Sequence, residues 1–207
     1  MNYRGRTEQK SILPQPTGLK RFVARLRDNL LPGSCLLCGS TAGGDLLCPD
    51  CRADLPLLPA QYCPQCAEPT THGERCGACL HVPPHFDRTI ACLSYDFPAD
   101  RLIHALKYGH SLAVADWCGR LLSERLAGER FDRILPLPLH PDRLRQRGFN
   151  QAAEIAGKFQ FWPKIPVDRS ALQRTRATTP QAELPPKERQ RNVRGAFECR
   201  SDFTGQH

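Results

Sequence analysis

Eight of the chain's 11 cysteines stand as Cys35, Cys38, Cys48, Cys51 and then Cys63, Cys66, Cys76, Cys79. Each set reads Cys-x-x-Cys, nine residues, Cys-x-x-Cys, and each member of the second set lies 28 residues after its counterpart. Two residues between cysteines let both sulfurs of a knuckle face one tetrahedral ion, so the pattern is a four-thiolate zinc clip written twice. Gly39 and Gly77, each just after a knuckle cysteine, suit tight turns whose N–H groups point at sulfur. A disulfide framework would need an oxidising compartment and usually a secretory signal, and none is visible. An iron–sulfur cluster, also held by four thiolates, has less symmetric spacings. Spacing leaves open whether the knuckles pair sequentially or crosswise, the sequential scheme being the simpler.

A clip closed by four sulfurs holds a structural metal, not a catalytic one. The segment between Cys35 and Cys79 has few large apolar residues, so the metal must supply its folding energy, on the order of 10–16 kcal/mol per site. The isolated Cys92 and Cys118 read as buried apolar thiols, and His72, His81 and His85 as surface histidines.

Arginines carry the second chemical signal. Residues 1–34 hold seven basic and two acidic groups, 35–79 hold two and five, and 133–200 hold 14 and six, within a formal net charge of +8. A polyanion should therefore meet the ends of the chain and not its cysteine-rich middle. Arg143, Arg145 and Arg147 precede Gly148 and a helix start, and guanidinium forks match phosphate oxygens bidentately. A second polar stretch carries Arg174, Arg176, Thr178, Thr179, Gln181, Arg189, Arg191, Asn192 and Arg194. The pattern suits a multiply phosphorylated small molecule and a solvated basic surface equally. Phe149, Phe159, Phe161 and Trp162 near the basic loops permit base stacking, with core burial the plainer reading.

The elements that must position these groups follow from periodicity. Residues 1–17, with Pro14 and Pro16, read as a mobile arm. Leu19, Phe22, Val23, Leu26 and Leu30 place an amphipathic helix over 18–34, its apolar face expected to dock on the body. The double ribbon fills 35–80. Over 86–207 strand and helix patterns alternate: a β-rich run at Thr89 to Tyr95, helices at Ala99 to Tyr108, Ser111 to Ala127 and Gln151 to Phe159, and an apolar run at Phe131 to Leu137. That order predicts an α/β domain with a mostly parallel sheet, its ligand at the carboxyl ends of the strands. No run reaches the roughly 20 apolar residues that span a bilayer, so a cytoplasmic protein without a membrane span is expected.

The double Cys-x-x-Cys ribbon, Leu106-Lys107-Tyr108, Pro136-Leu-Pro-Leu-His-Pro141, Arg147-Gly-Phe-Asn-Gln151, the run from Arg174 to Gln181 and that from Arg191 to Phe197 together resemble the ComF family. The resemblance implies a zinc ribbon joined to a type I phosphoribosyltransferase-like domain and a link to the uptake and use of exogenous DNA. It implies that Arg143, Arg147, Asn150 and Gln151 face the pyrophosphate of magnesium-bound phosphoribosyl pyrophosphate. Arg174, Arg176 and Gln181 would belong to a flexible loop closing over it. It also implies a later strand with paired acids and a Thr-Thr-Gly phosphate loop, whereas this sequence ends at Thr204-Gly-Gln-His207. An incomplete parallel sheet, weakened ligand binding and improbable turnover are therefore expected. Two alternatives without catalysis stand beside this one: a module that tracks single-stranded DNA, and a partner that docks on DNA-uptake proteins through its ribbon.

Overall fold

The computed structural model describes residues 33–160 and 164–206. The expected arm over 1–17, nearly all of the amphipathic helix over 18–34, and the aromatic residues Phe161 and Trp162 lie outside the described residues.

The sequence repeat recurs in the backbone pairing. A backbone bridge pairs Ser34 with Thr41 in the first ribbon and Tyr62 with Pro69 in the second, again 28 residues apart. Cys35 N–H donates to the Ser40 carbonyl and Cys63 N–H to that of Glu68, both at 2.7 Å. Each second knuckle starts a short helix, α1 (Pro49–Ala53) and α2 (Gly77–His81), with Cys48 and Cys76 as extended N-cap residues. Gly39 takes φ +77°, as its turn requires, but its counterpart in the second ribbon is Ala67, at φ +64°. A left-handed alanine costs about 1–2 kcal/mol. Gly77 is not the turn glycine expected; it is the first residue of α2.

The ribbons are stitched to the body where Leu57 bridges Leu93, flanked by Leu58 N–H to the Cys92 carbonyl at 3.3 Å and Ser94 N–H to that of Pro56 at 2.8 Å. The Thr89 to Tyr95 run is thus no strand of a sheet, because only Leu93 finds a bridging partner. Next come α3 (Ala99–Tyr108) and α4 (Leu112–Arg125). Ala99, Leu102 and Leu106 form the buried stripe of α3, and Val114, Ala115 and Trp117 that of α4. All of these side chains but Ala99 share one core with Cys35, Ala42, Leu47, Cys48 and Leu55 of the first ribbon. The buried apolar residues of the second ribbon, Cys63, Ala67 and Cys79, lie outside that core.

Two short helices follow, α5 (Pro141–Arg147) and α6 (Gln151–Gly157), the latter running into a 3-10 turn at Lys158–Gln160. α5 begins at Pro141, whose fixed φ suits a first helical position, and stops at Gly148, φ +79°. α6 packs on α4, where Lys158 Nζ meets Asp116 at 2.9 Å. β1 (Leu172–Arg174) and β2 (Phe197–Cys199) form an antiparallel pair, with α7 (Pro186–Val193) between them. Parallel pairing among the described residues is confined to a bridge between Ile134 and Val167. The mostly parallel sheet expected from the sequence therefore gives way to a mixed helix and strand architecture with one small sheet. An apolar run becomes a strand only where a neighbour supplies its N–H and C=O partners, and the 131–137 run meets one at Ile134 alone.

Candidate functional site

Geometry settles the pairing of the knuckles. In each ribbon all four sulfurs lie within 4.8 Å of one another, Cys35, Cys38, Cys48 and Cys51 in one set and Cys63, Cys66, Cys76 and Cys79 in the other. The scheme is sequential. A zinc ion about 2.3 Å from each of four sulfurs requires sulfurs about 3.8 Å apart. Cys38 and Cys48 Sγ stand at 3.7 Å, Cys66 and Cys76 Sγ at 3.5 Å. All eleven cysteines are free thiols. Two four-thiolate sites of this size and softness fit two structural zinc ions.

The thiols divide the charge unequally. Cys35 and Cys63 are each lowered to about 6: burial opposes ionisation, but converging backbone N–H groups of the knuckle outweigh it. Burial and the neighbouring sulfurs push Cys79 up to about 12, and Cys51 is raised chiefly by Cys38. Crowded thiolates repel one another, and a divalent ion removes that penalty by binding all four. Cys92 and Cys118 are half-buried, and both are raised above the usual thiol range by burial. His72, His81 and His85 are exposed, as expected.

The two arginine segments come within electrostatic reach of one another at Arg174. β1 carries Arg174, whose guanidinium lies 5.3 Å from the ring of Phe197, its cross-strand partner on β2, and donates to Thr178 Oγ1. Burial first, then the like charges of Arg143 and Arg176, hold Arg174 below the ordinary arginine range. Arg174 Nε is buried without a hydrogen-bond partner. Among the described residues no carboxylate forms an ion pair with Arg143, Arg174 or Arg176. Arg174 thus has like-charged neighbours in Arg143 and Arg176, one orphaned donor and no carboxylate partner among the described residues.

Other nominated residues are engaged within the chain. Arg176 Nη2 donates to the carbonyls of Asn192 at 3.0 Å and Arg194 at 2.7 Å, tying down the end of α7. Gln181 Nε2 reaches the Arg189 carbonyl at 3.0 Å, and its Oε1 accepts from Asn192 at 2.7 Å, so it braces the loop. Asn150 caps α6 through Ala152 N–H at 3.0 Å and holds the Leu137 carbonyl at 3.0 Å. Arg147 Nη1 donates to Gln151 Oε1 at 2.9 Å and stands 5.5 Å over the Tyr108 ring. Of the aromatic residues, Phe159 is 3% exposed, whereas Phe149 is half-buried against His110. Sequence reading assigned no role to Phe197, Lys107 or Tyr108; Phe197 meets Arg174 only through strand register, which spacing does not encode.

Fold and site thus define a protein with two zinc ribbons braced against a basic, mainly helical body, and residues 26–80 match the family described as Double zinc ribbon domain. The DNA utilization protein YhgH of Escherichia coli K12 is 35% identical over 191 residues, covering 86% of this chain and 82% of that protein. YhgH of Salmonella typhimurium is 33% identical over 88 residues, covering 42% of this chain and 39% of the relative. Competence protein F of Haemophilus influenzae is 33% identical over 66 residues, covering 32% of this chain and 29% of the relative. The chain belongs to the YhgH/ComF family. No solved structure matches it. Among the described residues no helix is long and apolar enough to cross a membrane.

Proposed function

We propose that this protein serves the use of imported DNA by binding a sugar-phosphate ligand such as phosphoribosyl pyrophosphate on a phosphoribosyltransferase-like body. Sequence similarity along most of the chain to proteins named for DNA utilization supports the biological setting. The observation that carries the chemical half is the Arg143, Arg174 and Arg176 cluster, with its buried, unpartnered Arg174 Nε and no carboxylate partner. In this reading Arg174 and Arg143 take phosphate oxygens, and Arg176 pins the loop that carries Arg174. Asn150 and Gln151 fix the turn that presents Arg143 and Arg147. These residues supply charge and donors, not a nucleophile, so their work is positioning and electrostatic neutralisation. Magnesium, when bound with the ligand, would neutralise the pyrophosphate. The zinc ribbons brace the body, and the free thiols suit a cytoplasmic setting.

Calorimetric titration of the zinc-loaded chain with magnesium phosphoribosyl pyrophosphate tests the chemistry. A charge-assisted bond is worth about 1.5–3 kcal/mol, so Arg174→Ala should weaken binding about 10–100-fold. Arg200→Ala, exposed and outside the cluster, should leave it unchanged. Absence of heat with the wild-type chain, or indifference to Arg174→Ala, refutes the ligand site. Disrupting the gene and measuring growth on DNA as sole nutrient tests the setting independently.

A further inference from the structure

Equivalent sulfurs of the two clips are not equally covered. Cys35 and Cys48 of the first clip and Cys63 and Cys79 of the second are buried, Cys51, Cys66 and Cys76 are half-buried, and Cys38 alone of the eight is exposed. Neighbours at equivalent places in the repeat explain the difference. Gln65, 8% exposed, donates through Nε2 to the carbonyls of Pro84 at 3.3 Å and Phe86 at 3.0 Å, which latches the segment 84–86 to the knuckle bearing Cys63 and Cys66. The first ribbon has Leu37 at that position, packed against the body's core, and an aliphatic side chain has no donor to latch anything. On the other side of the sulfur, a Cβ placed on Gly39 would meet nothing within 4 Å, whereas its counterpart Ala67 is 8% exposed. The Cys38 turn therefore opens to solvent, and the Cys66 turn is partly covered.

Sulfurs that hold zinc are thiolates, the nucleophilic form, and a metal closed by four of them offers an incoming reagent no coordination position. Reaction falls on the sulfur with an open face. We propose that Cys38 is a modification site, the sulfur through which peroxides oxidise the first clip. The Cys38 thiolate attacks one peroxide oxygen, the O–O bond breaks, and a sulfenic acid and a hydroxide form. A second clip thiolate then displaces hydroxide from the sulfenic acid and closes a disulfide. Cys48 Sγ is placed for this step, 3.7 Å from Cys38 Sγ. Two thiolates lose two electrons in all, and hydrogen peroxide is reduced to two hydroxides. Two of the four ligands are then spent, and the clip releases its zinc. Because Cys48, Leu47 and Leu55 sit in the core shared with α3 and α4, an oxidant acting at the surface reaches the whole body. The second clip, with its latched knuckle, is spared. This site does not depend on the Arg143, Arg174 and Arg176 cluster, and either can fail while the other stands.

Mixing the zinc-loaded full chain with hydrogen peroxide tests it, with released zinc read by a chromogenic chelator and surviving thiols trapped with N-ethylmaleimide for peptide mass mapping. One zinc equivalent should leave at least about tenfold faster than the other, together with loss of the Cys38 and Cys48 thiols. Cys199 is exposed too, but it lies outside both clips, so its oxidation does not enter the zinc signal. Cys38→His keeps a tetrahedral four-ligand set while removing the exposed thiolate, and should hold zinc in the first clip as long as in the second. If that variant loads only one zinc, the order in which iodoacetamide labels the eight clip cysteines of the wild-type chain decides, with Cys38 expected first. Release of both ions at one rate, earlier release from the second clip, or a clip sulfur other than Cys38 modified first overturns the proposal. So does a doubly loaded Cys38→His chain that loses its first-clip zinc at wild-type speed.

Discussion

Loss of zinc from the first ribbon should spread into the body, whereas loss from the second should stay local. The perturbations are Cys48→Ser and Cys76→Ser, equivalent positions of the two clips. Each removes one of four sulfurs and should release one zinc ion. Cys48 is 4% exposed and shares a core with Leu102, Leu106, Val114 and Trp117. Leu47 and Leu55, flanking the first clip's second knuckle, are 1% and 8% exposed in that same core. If the first clip opens, both leucines lose their cover. At about 1.5–3 kcal/mol for each buried side chain, the body forfeits about 3–6 kcal/mol beyond the metal term itself. At about 2–4 °C per kcal/mol for a chain of this size, the melting temperature should fall by about 6–24 °C. The second clip reaches the body through polar and edge contacts, such as Arg125 Nη2 to Tyr62 Oη at 2.7 Å, and its buried apolar residues lie outside the shared core. Cys76→Ser should therefore leave the body's transition within about 0.5 kcal/mol of wild type, the range of surface contacts. Zinc content by mass spectrometry and scanning calorimetry read both quantities on one sample. Equal shifts for the two variants, or an unshifted transition after the first clip alone empties, would refute the idea that the first ribbon is part of the body's core.

Two further outcomes follow from local geometry. Ala67→Gly relieves the left-handed strain at φ +64°, and after the entropic cost of glycine it should tighten zinc at the second clip about twofold to fivefold; competition with a chromogenic chelator measures this, and unchanged or weaker affinity contradicts it. Asp168 Oδ1 accepts from Ser170 N–H at 2.9 Å, Ser170 Oγ at 2.8 Å and Ala171 N–H at 3.0 Å, while Oδ2 meets Arg133 Nη1 at 3.1 Å. The Ser170 backbone and hydroxyl bonds, then that of Ala171, then Arg133, hold its carboxyl below the usual range. A depressed carboxylate gives stability that is present above its unfolded value of about 4 and lost as pH falls through the lower folded value. Melting curves down through that window should thus show an acid-induced loss, smaller in Asp168→Asn because that side chain does not titrate.

The 28-residue spacing of the cysteines determined the ribbons outright, since two-residue knuckles and a fourfold sulfur count leave a tetrahedral ion little freedom of position. α3 was legible with both of its ends, because Leu102 and Leu106 recur at helical spacing. The two arginine segments were legible as compositional clusters. Tertiary structure alone decided which sulfurs share a site, that Ala67 takes up the left-handed conformation of its counterpart Gly39, and that the first ribbon rather than the second enters the core. It alone brought Arg143 to bear on Arg174, 31 residues away, while spending Gln181 on loop bracing. The division has a physical cause. A knuckle or a helix is set by forces acting within about one turn of chain, which residue spacing records. Strand register, shared cores and repulsion between distant guanidiniums depend on how the whole chain closes, and no local spacing carries that information.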